Sequence, residues 1–355
     1  MESRARRKVA AVGALALLMI AVGPAAAEVA EYRVTFDATW SAGRHPGAYP
    51  TGAHFSPPVG GTHDATVTFW QTGSLASDAI EQMAEEGASA PLANEVAFRI
   101  IQGSAFSQIA ASGLTSPGLV QTTFLVNESH PLVTLVTMVA PSPDWFLGVS
   151  GLSLRSGAAW LDPVVHDLFS YDAGTDSGTA FTSANDDTDP ADPVSLITAA
   201  PFSGLPRLGT FTFELVRVLA ACEDTIDNDG DGLIDFPDDP GCDSASDPSE
   251  QSPSIACDDG LDNDLDLAVD TDDPGCDDSA DTSEKSPALI CDDGIDNDDD
   301  MLIDYPQDDG CSSLLDATEG SVGGTNLPGL SPLGLMGLAA LLGVAGLRLT
   351  RARRN

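Results

Sequence analysis

Aspartates recur at fixed steps in three places along this chain. Asp227, Asp229, Asp231 and Asp235 are spaced Asp-x-Asp-x-Asp-x-x-x-Asp. The same spacing returns at Asp262, Asp264, Asp266 and Asp270, and again at Asp296, Asp298, Asp300 and Asp304. Alternate residues of a tight loop point to one side, so the first three carboxylates of each set converge on a single point. Hard oxygen donors packed this closely fit calcium, which takes six to eight oxygens from carboxylates, backbone carbonyls and water.

Cysteines frame each set. Copies of the unit open at Cys222, Cys257 and Cys291 and close at Cys242, Cys276 and Cys311. Six cysteines allow 15 pairings, but the repeat favours a bond inside each copy, giving Cys222–Cys242, Cys257–Cys276 and Cys291–Cys311. A loop of that length, once closed, gains about 3 kcal/mol in the chain-entropy model. Units with almost no apolar core need such staples. The Ser-, Asp- and Pro-rich links at 243–256 and 277–290 read as extended loops. Carboxylates at loop positions 1, 3, 5 and 9, with apolar Ile234, Val269 or Ile303 at position 8 to pack beneath, resemble the calcium loops of EF-hands and of thrombospondin type 3 repeats. The departures from that pattern matter. Only the first copy has glycine at position 6 (Gly232); Leu267 and Met301 stand there in the others. Position 12 holds Asp238, Asp273 and Gln307 instead of glutamate. Weak sites of about 10⁻⁴–10⁻³ M are therefore expected, with the first copy binding best.

Charge and redox chemistry agree with that reading. Of the 355 residues, 55 are acidic and 15 basic, a formal net charge of −40. Between Cys222 and Glu319 lie 34 of the acidic residues and a single base, Lys285. So acidic a surface repels phosphate backbones, which excludes nucleic-acid binding and makes cations the natural partners. All six cysteines fall in the same region, which points to an oxidising compartment. The two ends read as export and anchoring segments. Arg4, Arg6, Arg7 and Lys8 precede an apolar run at 9–22 and then Ala25-Ala26-Ala27, the pattern of a signal peptide cleaved after Ala27. Residues 321–347 carry no charge, and Arg348, Arg351, Arg353 and Arg354 follow. That stop-transfer pattern predicts a C-terminal membrane helix. It resembles the sorting tails of bacterial surface proteins, some of which are trimmed after export.

The middle of the chain divides near Ala220. From 28 to 219 the pattern is that of many short strands. Tyr32, Val34, Phe36 and Ala38 alternate with Arg33, Thr35 and Asp37, and Phe211, Phe213 and Leu215 alternate with Thr212 and Glu214. This is the period-two pattern of half-buried strands. Further β-rich runs are read at 66–70, 96–101, 119–126, 132–140 and 146–154. One short helix is read at 78–86, with Asp78 as its cap. The expected fold is all-β, a β-sandwich followed by three irregular disulfide-stapled repeats at 220–320 and the tail at 321–355.

Several strings in the first part resemble the spondin N-terminal domain family. They include Gly60-Gly61-Thr62-His63, Ala84-Glu85-Glu86-Gly87, Pro141-Ser142-Pro143-Asp144-Trp145 and Tyr171-Asp172-Ala173-Gly174-Thr175-Asp176-Ser177-Gly178. The resemblance implies a β-sandwich with a calcium ion held by loops at one end, its ligands being Asp144, Asp172 and Asp176. Glu128 is the one carboxylate offered by the strand before Pro141. Read from spacing alone, the three aspartates fit either metal ligands or turn residues bonded to backbone amides.

Little points to catalysis. His45, His54 and His63 fall at steps of nine, too far apart for a zinc pair, and no His-Glu-x-x-His, P-loop, dinucleotide fingerprint or Gly-x-Ser-x-Gly elbow occurs. The expectation is a non-enzymatic, exported, calcium-binding adhesion or recognition protein. It carries a spondin-like head on a calcium-stiffened acidic stalk, takes an extracellular glycan or protein ligand, and is tethered to the membrane through its tail. The alternative is an extracellular hydrolase or lectin-like accessory protein in which calcium is structural.

Overall fold

The computed structural model describes residues 28–320. The expected signal segment (1–27) and the apolar tail with its expected membrane helix (321–355) lie outside the described residues. Among the described residues no helix is long and apolar enough to cross a membrane. The chain forms two compact units that divide after Glu250. The first contains the β domain and the first acidic repeat, the second the other two repeats.

In chain order the β domain runs β1 (Val29–Ala38), β2 (His54–Phe55), β3 (Val59–His63), α1 (Asp78–Glu86), α2 (Ala90–Ile101), β4 (Ala105–Ala110), β5 (Leu114–Thr115), β6 (Gly118–Asn127), β7 (Leu132–Ala140), β8 (Trp145–Ser153), β9 (Arg155–Ser156), β10 (Ala159–Trp160), β11 (Val164–Leu168), β12 (Tyr171–Asp172), β13 (Ser195–Leu196) and β14 (Gly209–Val218). One sheet has the order β11-β14-β1-β6. The other runs β13-β12-β8-β7-β2-β5, with β3 pairing both β7 and β4. β1 lies between β14 and β6 and pairs with both antiparallel. Its alternation sends Tyr32, Val34, Phe36 and Ala38 inward, where they meet Phe55, Leu135, Phe211 and Phe213 in the core between the sheets.

β7 explains why the domain has three layers. Val133, Leu135 and Val139 face the core between the sheets. Val136, Met138 and Ala140, on its opposite face, pack with Ile80, Met83, Leu92 and Val96 of the two helices. A strand covered on both faces loses the polar half of its alternation, and every β7 residue after Leu132 is buried.

The all-β expectation is therefore corrected to mostly β with two helices. Residues 96–101, read as a strand, form the second half of α2. Leu92 and Val96 point inward one turn apart, whereas Phe98 and Ile101 are exposed. Exposed apolar residues at helical spacing had filled the gaps that would have shown the 3.6-residue period. The run at 66–70 is turn and loop, its Val67, Phe69 and Trp70 buried in the helix-side cluster. The helix at 78–86 forms as expected, but Ser77 caps it, its Oγ accepting from the Ile80 amide at 3.3 Å.

The repeats contain no strands among the described residues, only turns and short 3₁₀ segments such as Ala221–Glu223 and Ala256–Asp258. The three expected disulfides are formed, one within each copy. Ile234, Val269 and Ile303 do not pack beneath the loops; they are 46%, 36% and 47% exposed. With no apolar floor, each loop is held by its disulfide and by carboxylate–amide hydrogen bonds.

Candidate cation sites

In the β domain, strand register assembles the site. β12 pairs with the start of β8, placing Asp172 opposite Trp145 and Tyr171 opposite Phe146. Asp144, which immediately precedes β8, therefore lies beside the loop that leaves β12, and its carbonyl accepts from the Ala173 amide. That loop turns sharply at Gly174, whose φ is +77°. A Cβ there would come within 2.1 Å of the Asp192 carbonyl oxygen, so only glycine fits. The turn folds the chain back over Asp144, whose Oδ2 accepts from the amides of Thr175 (2.9 Å) and Asp176 (3.2 Å). Asp172 Oδ1 accepts from the Gly174 amide, and Asp176 accepts from the amides of Gly178 and Asp186.

Asp144 is fully buried, and its Oδ1 has no hydrogen-bond partner. Burial pushes the Asp144 carboxyl above its ordinary range. Burial, reinforced by the neighbouring Asp144 charge, lifts Asp172 to about 6. Each shift records a carboxylate with too little positive charge nearby. The structure thus brings Asp144, Asp172 and Asp176 together. Glu128 does not join them; it pairs with Arg155 at the surface. Glu85 of α1 also lies near this cluster, and it too is raised, chiefly by burial and further by the charges of Glu81, Asp144 and Asp176. Its string was part of the resemblance, but no spacing tied it to the aspartates.

In the repeats the first three carboxylates of each loop are engaged mainly by backbone amides of that loop. Asp227 accepts from the amides of Gly230 and Gly232, Asp229 from Asp231, and Asp231 from Leu233. In the second copy Asp262 accepts from Leu265, Asp266 and Leu267, and Asp266 from Ala268. Asp264 there is paired with Lys285 at 3.3 Å. In the third copy Asp296 accepts from Asp300 and Met301, Asp298 from Asp300, and Asp300 from Leu302. Bonds of this kind wrap the backbone around each set: both oxygens of Asp227, Asp262 and Asp296 accept amides, whereas Oδ2 of Asp231 and of Asp266 has no hydrogen-bond partner.

The ninth carboxylate also bonds backbone amides, those of the opening turn. Asp235 accepts from the Thr225 amide, Asp270 from the amides of Asp259 and Gly260, and Asp304 from the Gly294 amide and Lys285 Nζ. These three carboxylates tie the end of each loop to its opening turn. In the first copy, two residues that the aspartate spacing did not single out complete the cluster. Carboxylate oxygens of Asp227, Asp229 and Glu250, and of Asp229, Asp231 and Asp239, lie within 4.8 Å of one another. Asp262, Asp264 and Glu284 form the matching group in the second copy. The glutamate also holds the loop closed. Glu250 accepts from the amides of Asn228 and Asp235, and Glu284 from those of Asn263 and Asp270. Glu319 does the same for Asn297 and Asp304. The links between copies are therefore not merely extended; each delivers this glutamate back into its own loop.

Asp239, Asp273 and Asp308 are 2%, 2% and 1% exposed. Each bonds the amide of the glycine preceding the closing cysteine through Oδ1, while Oδ2 has no hydrogen-bond partner. Burial and neighbouring aspartates push Asp273 to about 6. A signal for both of these residues was present in the sequence. An aspartate falls three residues before the closing cysteine, and a glutamate eight after it, in all three copies.

Residues 30–204 match the Spondin_N family. This segment is a spondin N-terminal domain. Over 180 residues the chain is 34% identical to Spondin-2 of Rattus norvegicus, covering 48% of this chain and 54% of that protein. It is 35% identical to Spondin-2 of Homo sapiens over 182 residues, with the same coverage. Against Spondin-1 of Homo sapiens it is 33% identical over 203 residues, 54% of this chain and 25% of that protein. The chain thus spans about half the length of the Spondin-2 relatives and a quarter of Spondin-1, and the acidic repeats lie beyond the matched family segment. Two histidines of the spondin domain have structural roles. His63 bonds Thr134 Oγ1 and the Asp64 carbonyl, and His45 bridges the Ser41 amide and the Arg207 carbonyl.

Proposed function

We propose that the chain is an exported calcium-binding adhesion or recognition protein. In this reading the spondin domain is the head and holds one cation among Asp144, Asp172 and Asp176. The acidic repeats hold further cations that stiffen them into a stalk. The observation that carries the reading is the set of buried carboxylate oxygens without hydrogen-bond partners: Asp144 Oδ1 in the head, and Asp239, Asp273 and Asp308 Oδ2 in the repeats. A buried unpaired anion costs several kcal/mol unless a counter-charge reaches it. Around these oxygens, backbone amides already occupy the other oxygen of each group.

Calcium suits the donor set better than other divalent ions. Every candidate ligand is an oxygen, the cysteines are bonded to one another, and the loops are irregular. Zinc favours nitrogen and sulfur donors, and magnesium demands a strict octahedron. Three disulfides support export to an oxidising compartment. Kinship with the spondins supports an extracellular glycan or protein as ligand, and the C-terminal tail supports tethering to the cell envelope.

The test is a calcium titration of the exported chain, followed by calorimetry and by hydrodynamic radius. Calcium is expected to raise the transition temperatures and to shrink the radius, and a chelator to reverse both. If excess chelator changes neither quantity, the reading is wrong.

A further inference from the structure

The residue after the opening cysteine differs among the copies in a telling way. In the first copy it is Glu223, whose carboxylate reaches the surface and pairs with Arg217. In the second and third copies it is aspartate, and both Asp258 and Asp292 are buried. The first copy has no repeat before it; the other two do.

Asp292 shows what the burial accomplishes. It is 0% exposed. Its Oδ2 accepts from the Ser286 amide at 3.2 Å, and its Oδ1 has no hydrogen-bond partner. The carboxylate lies against residues of the preceding copy. It meets the Asp264 carboxylate of the preceding copy, with Asp273 close by. It also lies over Gly275, beside the second copy's closing cysteine, where an added Cβ would approach Asp292 Oδ2 to 2.7 Å. Two ionised carboxylates have no proton to share, so their contact is repulsive until a cation enters. The one ammonium nearby, Lys285 Nζ, is 2.9 Å from Asp304 and 3.3 Å from Asp264, a single positive charge already divided between two copies.

We infer that Asp292, which belongs to the third repeat, is a ligand of the calcium held by Asp262, Asp264 and Glu284 of the second. The inference rests on the reading of the repeats as calcium sites and adds that this one is built from two copies. The ion there clamps the repeats together, so the fill of one loop and the docking of the next are a single event. The third repeat has no copy after it within the described residues, so its Asp296, Asp298 and Asp300 receive no such ligand and its site is the weaker of the two.

The experiment uses the full exported chain with calcium alone as probe. Calcium is titrated into the parent and into Asp292→Asn, each also combined with Glu284→Gln or with Glu319→Gln, which disable the second and third sites respectively. Asp292→Asn is expected to weaken one site at least tenfold. That loss should persist beside Glu319→Gln and vanish beside Glu284→Gln. The opposite pattern would place Asp292 in its own repeat and overturn the inference, as would an unchanged isotherm in a chain whose parent binds calcium. A parent that binds none at the repeats would instead overturn the underlying reading. A measurement on the unmutated chain avoids any folding defect: the side-chain carboxyl carbon resonance of Asp292 should follow the isotherm of the Leu265 and Leu267 amides. Tracking the Met301 amide instead would refute the assignment.

Discussion

Asp144 Oδ2 accepts the Thr175 amide at 2.9 Å across 31 residues of chain, joining the loop before β8 to the loop after β12. The bond occupies one oxygen of a fully buried carboxylate, and the other has no hydrogen-bond partner. Asp144→Asn keeps an acceptor for the amide and removes the charge. Replacing a buried unpaired charge by a neutral isostere is near neutral or stabilising. The variant is expected to melt in chelator at or above the parent's temperature, and to lose the calcium-induced rise of the head transition. For the parent that rise corresponds to about 2.7 kcal/mol at calcium a hundredfold above Kd. Differential scanning calorimetry with and without calcium checks both parts.

Acidity should affect the metal-free protein in an unusual direction. Asp172 and Asp273 are raised to about 6 in the folded chain, and Asp292 to about 7, chiefly by burial. A raised carboxyl favours the folded state below its unfolded value near 4, and that advantage is lost as pH climbs through the folded value. Calcium-free protein is therefore expected to melt at a higher temperature at pH 4.5 than at pH 7.5. Saturating calcium should reverse the order, because its ligands must be deprotonated. Melting curves at both values, on protein dialysed free of divalent ions, test this; a metal-free transition that rises toward pH 7.5 would contradict it.

Glu284 and the ninth-position Asp270 can be told apart by substitution. Glu284→Gln removes the charge that joins Asp262 and Asp264 and weakens two amide contacts, so calcium stoichiometry should fall by one. About 1–3 kcal/mol of loop stability should go with it. Asp270→Asn alters a carboxylate that serves the amides of Asp259 and Gly260, and the stoichiometry should remain that of the parent. Isothermal titration of the two variants side by side decides the matter; equal losses would make the ninth position a ligand as well.

Loop strain separates the copies. Gly230 and Gly232 of the first copy have φ of +86° and +93°. Leu265 and Leu267 occupy the same positions at +70° and +83°, and Asp299 and Met301 at +63° and +76°. A side chain in that region costs about 1–2 kcal/mol, partly offset by the greater entropy that glycine loses on folding. Leu267→Gly and Met301→Gly should each stabilise their loop by about 0.5–1 kcal/mol and tighten calcium binding a few-fold. Gly174→Ala in the head should do the reverse, costing about 2 kcal/mol or more, since the added carbon meets the Asp192 carbonyl at 2.1 Å. Chemical denaturation with intrinsic tryptophan fluorescence reads the head, and calcium titration reads the loops.

Periodicity made the sheet strands readable wherever one face is wet, as in β1 and β14. It failed at α2, where Phe98 and Ile101 put apolar residues on the exposed side and erased the helical signature. Cysteine pairing followed from the repeat, because each bond closes within one copy. Motif strings located Asp144, Asp172 and Asp176, but only strand register explains why loops so far apart in sequence share one carboxylate cluster. In the repeats, the loop spacing marked four carboxylates in each copy. It did not reach the glutamate that joins them, because a loop template carries no information about a link that returns. Glu250 is 15 residues beyond Asp235, and only the folded chain brings its carboxylate onto the Asp235 amide.

Leu267 and Met301 remain 77% and 90% exposed in the folded repeats. Unfolding such a unit brings little new apolar surface into water, so its heat-capacity increment should be small, whereas the spondin head, with its two packed clusters, should show the usual large one. The free-energy curve of the repeats against temperature is then nearly straight and that of the head strongly bowed. On cooling toward freezing, the head approaches the cold side of its dome while the repeats respond mainly to how much calcium surrounds them.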